Sequence, residues 1–187
     1  MIRAMVVLIL SGLLGQATLA LASDKTISAR FAVNSSVSVG MLGNYTNEGV
    51  GGTIGIGWRP FRDSRDIELT TSLNYDRFAN QQNALGGYSF LRAGAGILLR
   101  IGPPQPNRVY LIFEGGPAFV RVDNNSGFPP YRGLSRRSTN LYGAGGAGLA
   151  FAFSRSTSLY VQIELVDILD TLFGDYRFFK LRFGLQI

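Results

Sequence analysis

Apolar and polar residues alternate along most of this chain. Between Ile67 and Asp76, every odd position except Thr71 is apolar or aromatic, and every even position is polar or charged. The same alternation recurs in 91–101, in 159–165 and at the end of the chain, where "FKLRFGLQI" places apolar side chains at every second position. A period of two is typical of β-strands with chemically different faces and does not fit a helix. The pattern therefore predicts an all-β protein.

Windows of this kind predict eight strands, at roughly 31–45, 48–60, 67–78, 88–101, 108–121, 139–153, 157–170 and 177–187. Most exceed the ~5–6 residues of a typical soluble strand and reach the ~9–11 residues that cross a bilayer at a tilt. Short connections such as "GPPQPN" and "SRSTS" alternate with mostly longer ones such as "VDNNSGFPPYRGLSRRS". Short turns on one side and longer loops on the other are typical of transmembrane barrels.

The alternating faces predict a closed ring of strands in lipid. A soluble sandwich would need a second sheet to bury the apolar face, whereas in a membrane barrel that face contacts lipid and the polar face lines the lumen. An open sheet edge in lipid would leave backbone groups unpaired. We therefore predict a closed, eight-stranded, antiparallel, up-and-down barrel in which the last strand pairs with the first.

The start of the chain and its composition add a location. A basic residue, an apolar stretch and Ala20-Leu21-Ala22 predict a cleaved secretory signal peptide over 1–22, followed by a barrel domain over 23–187. The chain has no cysteine, which excludes disulfides and thiolate metal sites. Its formal charge is +6, carried mostly by arginine. For an exported protein this favours anionic lipid headgroups or surface polysaccharide as partners and not nucleic acid.

In these features the chain resembles the small eight-stranded outer-membrane barrels of Gram-negative bacteria, of the OmpA transmembrane-domain and OmpX type. The most specific part is the last strand, which resembles the signal read by the barrel-assembly machinery, although Ile187 stands where an aromatic residue is usual. That signal comprises the alternating residues Phe179, Leu181, Phe183, Leu185 and Ile187. The resemblance implies an outer-membrane location, contact with lipopolysaccharide and a monomeric state.

The lumen is expected to hold an ion-pair network. Eight strands enclose a space that side chains can fill, and isolated buried charges are costly, so the charges facing inwards should be paired. The predicted members are Arg92, Glu114, Glu164, Lys180 and Arg182. We expect Glu164 to lie opposite Arg182, and Glu114 to lie about one diagonal step from Arg92. The network serves either a structural role or a narrow, gated ion path.

A second candidate site is a groove on the outer wall. Pro117 interrupts a strand, where it cannot donate to the ladder, and the lipid-facing positions around it are small: Ala93, Ala95, Gly115, Gly143 and Gly145. Such a groove could act as a lateral gate or as a docking site for an acyl chain or a partner helix, because small residues permit close approach. The alternative is a local bulge filled by lipid.

The long connection 122–138 and the aromatic residues near strand ends suggest contacts at the membrane surface. Arg132, Arg136 and Arg137 could bind lipopolysaccharide phosphates or could simply be solvated. Aromatic residues at predicted strand ends are expected in interfacial girdles, among them Trp58, Phe78, Phe119 and Tyr176.

Catalysis is not expected, because the chain has no histidine to transfer protons near neutral pH. Without histidine or cysteine, transition-metal sites and cofactors are not expected either. We therefore predict a non-enzymatic outer-membrane barrel with an ion-pair-plugged lumen, serving envelope integrity or surface interaction through its extracellular loops. The alternative is a narrow channel or a lateral-gate transporter for small or lipidic solutes.

Overall fold

A computed structural model describes residues 27–40, 42–44, 46–60, 66–80, 87–102, 107–123, 136–154, 157–169 and 175–187. The predicted signal peptide lies outside these ranges. The strands are β1 (Ile27–Val39), β2 (Thr46–Trp58), β3 (Ile67–Asn80), β4 (Gly87–Ile101), β5 (Asn107–Val122), β6 (Arg136–Ala152), β7 (Ser158–Leu169) and β8 (Tyr176–Gln186). A short 3-10 helix (Leu42–Asn44) follows β1. Among the described residues, no helix is long and apolar enough to cross a membrane.

Each strand pairs antiparallel with its neighbour in the chain, and the ring closes between β1 and β8. The closing register runs from Arg30 opposite Gln186 to Val39 opposite Arg177. The prediction of a closed eight-stranded up-and-down barrel is confirmed. Closure gives every strand two partners, which is the condition for a sheet surrounded by hydrocarbon.

The two faces of the wall differ as the alternation predicts. On β3, Glu68, Asn74 and Asp76 point inwards and are fully buried, whereas Leu73 and Tyr75 point outwards and are 43% and 45% exposed. The outward faces of the other strands also carry large exposed apolar side chains. With 11 to 17 residues per strand, the wall is long enough to cross a bilayer at a tilt. This outer surface is apolar enough to require lipid around it.

The first strand differs from its predicted bounds. It was expected over 31–45 but spans Ile27–Val39. Gly40 has a φ of 64°, a left-handed conformation that favours glycine and ends the strand. The chain then forms the 3-10 helix, and Leu42 is buried with the apolar residues at this end of the lumen.

Candidate functional site

Aromatic side chains from three strands pack together inside the barrel, at the end where β3 leads into β4. We call this group the aromatic plug; its members are Phe78, Tyr88, Phe90, Tyr176 and Phe178. The three phenylalanines have no exposed surface. The ring of Phe78 lies 5.0 Å from Phe178 and 5.7 Å from Phe90, centroid to centroid and edge to face. Aliphatic side chains complete the layer: Leu42, Val120, Val122, Val166 and Ile168.

Two members of the aromatic plug correct the sequence interpretation. Phe78 and Tyr176 were expected in the interfacial girdle, but both point into the lumen and are buried. Trp58 and Phe119 do point outwards, and are 50% and 48% exposed. Alternation shows which residues share a face of a strand, but it does not show whether an aromatic residue faces the lumen or the lipid, because an aromatic side chain is stable in both places.

Directly below the plug lies a fully buried ion-pair group. Asp76 accepts hydrogen bonds from Arg92 at 2.6 Å and from Lys180 at 3.1 Å, and none of the three side chains is exposed. The guanidinium of Arg92 also lies 5.0 Å from the centre of the Tyr142 ring and 5.3 Å from that of Phe178. These cation–π contacts compensate for its Nε and Nη1, which have no hydrogen-bond partner among the described residues.

A second group occupies the middle of the lumen around Arg182. Its guanidinium forms an ion pair with Glu164 at 2.7 Å and lies 3.5 Å from Glu114. The hydroxyl of Tyr142 donates to Glu114 at 3.1 Å. Asn74 joins this group to the one above, because its amide oxygen accepts from both Lys180, at 3.2 Å, and Arg182, at 2.8 Å. The upper two groups therefore form one continuous network.

A third group surrounds Glu68 near the opposite end of the barrel. This fully buried carboxylate accepts from Arg30 at 2.7 Å, from Arg100 at 2.5 Å and from Arg59 at 3.3 Å. The upper two groups hold three cations and three carboxylates, whereas here three cations share one carboxylate. A small buried cluster of Leu98, Tyr110, Ile112 and Tyr160 lies beside this group. Leu98 is opposite Glu68, and Tyr110 is opposite Arg100.

Glycines on the inner face make room for these large side chains. A Cβ on Gly57 of β2 would clash with a carboxylate oxygen of Glu68, and one on Gly148 of β6 would clash with the Tyr110 ring. The small inner faces of β2 and β6 therefore have a packing role, because they accept the ends of long side chains from other strands.

No described group of three or more acidic, histidine or cysteine side chains is placed to hold a metal ion.

The structure places all five predicted lumen residues inside the barrel, but two expected pairings are wrong. Glu164 lies opposite Lys180, not Arg182, because the register of β7 and β8 is shifted by two residues from the expected one. The long arginine side chain still reaches Glu164 diagonally. Glu114 lies opposite Gly96, while Arg92 lies opposite Ala118. Along the β4–β5 ladder, Glu114 and Arg92 are therefore separated by two positions on the same face and not by one.

The predicted groove residues all lie on the outer wall. Gly115 is opposite both Ala95 and Gly143, and Gly145 is opposite Phe113. A Cβ on Gly143 would meet nothing within 4 Å, so this part of the wall is open. These residues form a shallow patch, and its use by a ligand remains a prediction.

Pro117 interrupts hydrogen bonding on only one side of its strand. It is paired with Leu141 on β6, whereas the pairing with β4 passes from Arg92–Ala118 directly to Ala95–Gly115. The register is the same before and after this gap, so the chain does not bulge here. The missing amide hydrogen of proline explains the gap.

The predicted loop arginines lie differently from the expectation. Arg132 falls outside the described residues. Arg136 and Arg137 belong to β6 and not to the long loop, and Arg137 is exposed on the outer face. The residues proposed as an assembly signal, Phe179, Leu181, Phe183, Leu185 and Ile187, occupy outward positions on and just after β8. Their recognition by the assembly machinery remains a prediction.

No protein-family model matches the chain, and no curated protein matches it in sequence. Solved structures do. The chain is similar to Neisserial surface protein A (NspA), with 16% identity, 87% of this chain and 97% of that chain covered, and a TM-score of 0.68. It is also similar to Ail, the attachment invasion locus protein of Yersinia pestis, with 15% identity, 86% and 96% coverage, and a TM-score of 0.51.

A major outer membrane protein from Thermus thermophilus is similar at 11% identity, with 84% of this chain and 98% of that chain covered and a TM-score of 0.53. At these identities the likeness concerns the fold. The closed ring of strands, the apolar exterior and the polar interior of this chain are features of the same fold. The chain thus has the fold of the small eight-stranded outer-membrane β-barrels.

Proposed function

We propose that this protein is a non-enzymatic, non-conducting barrel of the bacterial outer membrane that acts through its extracellular loops and its outer wall. The observation that supports this most is the filling of the lumen. Phe78, Phe90 and Phe178 have no exposed surface, and neither do Arg92 and Lys180 beneath them. An ion entering from outside would meet a dehydrated aromatic layer before it reached any charge.

The paired charges below the plug also argue against conduction. Lys180 and Arg92 share Asp76, and Arg182 contacts two carboxylates. A permeating ion would have to separate these pairs and leave charges buried without partners, which is strongly unfavourable. With the lumen closed, the loops and the outer wall are the surfaces left for function. The similar protein Ail is by its name an attachment invasion locus protein, which supports a role in surface contact.

Conductance in a planar bilayer tests this proposal. We expect the refolded protein to give no discrete current steps at about 100 mV in roughly 1 M KCl, whereas a porin in the same membrane gives them. The Phe90→Ala variant should also be silent, because the ion-pair network remains in place beneath it. Stable unitary currents from correctly folded protein would contradict the proposal and favour the alternative, a narrow channel.

A further inference from the structure

The three arginines that share Glu68 lie inside the barrel at the end where β1 begins and β8 ends. Arg30 belongs to β1, Arg59 directly follows β2, and Arg100 lies near the end of β4. The side chains of Arg30 and Arg100 are almost fully buried, whereas that of Arg59 is 28% exposed and can be reached from water. We call Arg30, Arg59 and Arg100 the arginine triad.

The single carboxylate of the group cannot satisfy the triad. Besides the three arginines, Glu68 accepts hydrogen bonds from Ser28 at 3.0 Å and from Gln186 at 3.4 Å. A carboxylate has about four lone-pair sites, so these five donors use its full capacity. Within the described part of the chain, Arg30 and Arg59 form no ion pair with any other acid. At least one positive charge is therefore left without a counter-charge.

Two members of the triad also have unused hydrogen-bond donors. Arg59 donates to Glu68 through its Nε, at 3.3 Å, and its two terminal nitrogens have no acceptor among the described residues. Arg30 donates through Nη2, while its Nε is buried and has no partner in the described ranges. A buried donor without an acceptor is costly. An anion at this end of the lumen would supply both the missing charge and the missing acceptors.

A fourth arginine at the same end shows that basic character alone does not define the triad. Arg108, near the start of β5, is largely buried and forms its own ion pair with Asp66 at 3.2 Å. Arg108 therefore has the counter-charge that Arg30 and Arg59 must share. This difference makes Arg108 a matched reference for the triad.

The triad lies at the end of the barrel with the shorter connections, 102–106 and 153–157. In transmembrane barrels the short turns face the periplasm, so a ligand of the triad would enter from that side. Beyond the triad, the balanced ion-pair groups and the aromatic plug fill the lumen. A solute that reached Arg59 would therefore bind there and would not cross the membrane.

We propose that the arginine triad binds a phosphate group, either as inorganic phosphate or as part of a small phosphomonoester. Two phosphate oxygens accept from the terminal nitrogens of Arg59, in the bidentate geometry that suits a guanidinium. A third oxygen faces Arg30 and Arg100. A carboxylate ligand has only two oxygens, and the Arg59 fork would use both. Phosphate also carries a charge of about −1.5 to −2 near neutral pH, more than a carboxylate can bring. This inference does not depend on whether the lumen conducts.

A phosphorus NMR titration tests the proposal, with the refolded barrel in uncharged detergent, inorganic phosphate at about pH 8, where it is a dianion, and a constant ionic strength. We expect Arg59→Gln to bind phosphate at least about tenfold more weakly than the unmodified protein, because it loses a bidentate, charge-assisted contact. Arg59→Lys keeps the charge but loses the fork, and should bind with an intermediate affinity. Heat-dependent gel mobility shows that each variant is folded.

Two control variants separate a specific site from general attraction to positive charge. Arg108→Gln removes one charge from the same end of the lumen, and Arg177→Gln removes an exposed arginine at the opposite end, where it pairs with Asp167. Both should bind phosphate within about twofold of the unmodified protein, because neither contacts the ligand. A loss in Arg108→Gln as large as in Arg59→Gln would overturn the proposal, and so would unchanged binding in Arg59→Gln.

Competing anions identify the ligand class. Acetate at equal ionic strength should not displace phosphate, because it lacks the third oxygen and the second charge, and acetate that competed as well as phosphate would contradict the assignment. Glycerol 3-phosphate distinguishes the two sources of the phosphate group. Its competition would extend the site to phosphomonoesters, and its failure to compete would restrict the site to inorganic phosphate.

Discussion

Replacing Arg182 with methionine should lower the free energy of unfolding by about 3–5 kcal/mol, the usual cost of removing one partner from a buried ion pair. Arg182 is 3% exposed and contacts both Glu164 and Glu114. Methionine fills part of the space but leaves two carboxylates close together in a dehydrated lumen. Urea unfolding in lipid vesicles, followed by the fluorescence of Trp58, the single tryptophan, measures the change.

Two further variants identify the cause of this loss. Arg177→Met removes an arginine from an exposed pair with Asp167 and should cost no more than about 1 kcal/mol, as surface pairs do. Adding Glu164→Gln to Arg182→Met should restore part of the stability, because it removes one of the unpaired charges. A loss in Arg182→Met no larger than in Arg177→Met would mean that the buried network contributes little.

Phe90→Ala should also destabilise the barrel by about 3–5 kcal/mol, the range for truncating a buried phenylalanine. The Phe90 ring is fully buried and lies between 5.5 and 6.3 Å from the rings of Phe78, Tyr88, Tyr176 and Phe178. Its neighbours come from β3, β4 and β8, so they cannot collapse into the cavity without moving the wall. The same urea unfolding experiment measures the effect.

The matched control is Phe113→Ala on the outer face, where the side chain is 54% exposed. Lipid chains are fluid and can refill the space that this truncation leaves, so the loss should be smaller than for Phe90→Ala. A Phe113→Ala loss equal to or greater than the Phe90→Ala loss would contradict a tightly packed aromatic plug.

The sequence alone predicts the fold because alternation is a local property of each strand. Side chains at even and odd positions of β3 lie on opposite faces whatever the neighbouring strands do. Because lipid offers no water to pair with free backbone groups, the sheet must then close into a barrel. The end of β1 was missed because Gly40 ends the strand through its backbone conformation, and the alternation before it gives no sign of this.

The aromatic plug was missed because the sequence interpretation considered strands one at a time. The inner face of β3 changes from Asp76 to Phe78 at the end that leads into β4. The inner faces of β4 and β8 make the same change, from Arg92 to Phe90 and from Lys180 to Phe178. Only the alignment of the three strands shows that these changes occur at one level of the barrel.

The pairing errors have a different origin. Glu164 was assigned to Arg182 from an assumed turn position, and an error of one residue in the turn moves the opposite residue by two. Arginine is long enough to contact carboxylates in two adjacent rows, so Arg182 forms an ion pair with Glu164 from a diagonal position. Register fixes which Cα atoms face each other, and side-chain length decides which charges meet.

A nitroxide scan of β3 tests the central claim, that apolar side chains face hydrocarbon and polar side chains face a closed lumen. The natural chain has no cysteine, so single cysteines from Leu69 to Asp76 can be spin-labelled and the barrel reconstituted in lipid vesicles. Collision rates with oxygen, which concentrates in lipid, and with a water-soluble nickel chelate are then measured. The structure predicts high oxygen collision rates at odd positions, and low rates with both reagents at even positions. High nickel rates at the even positions would reveal an open aqueous lumen, and an absence of period two would contradict the barrel itself.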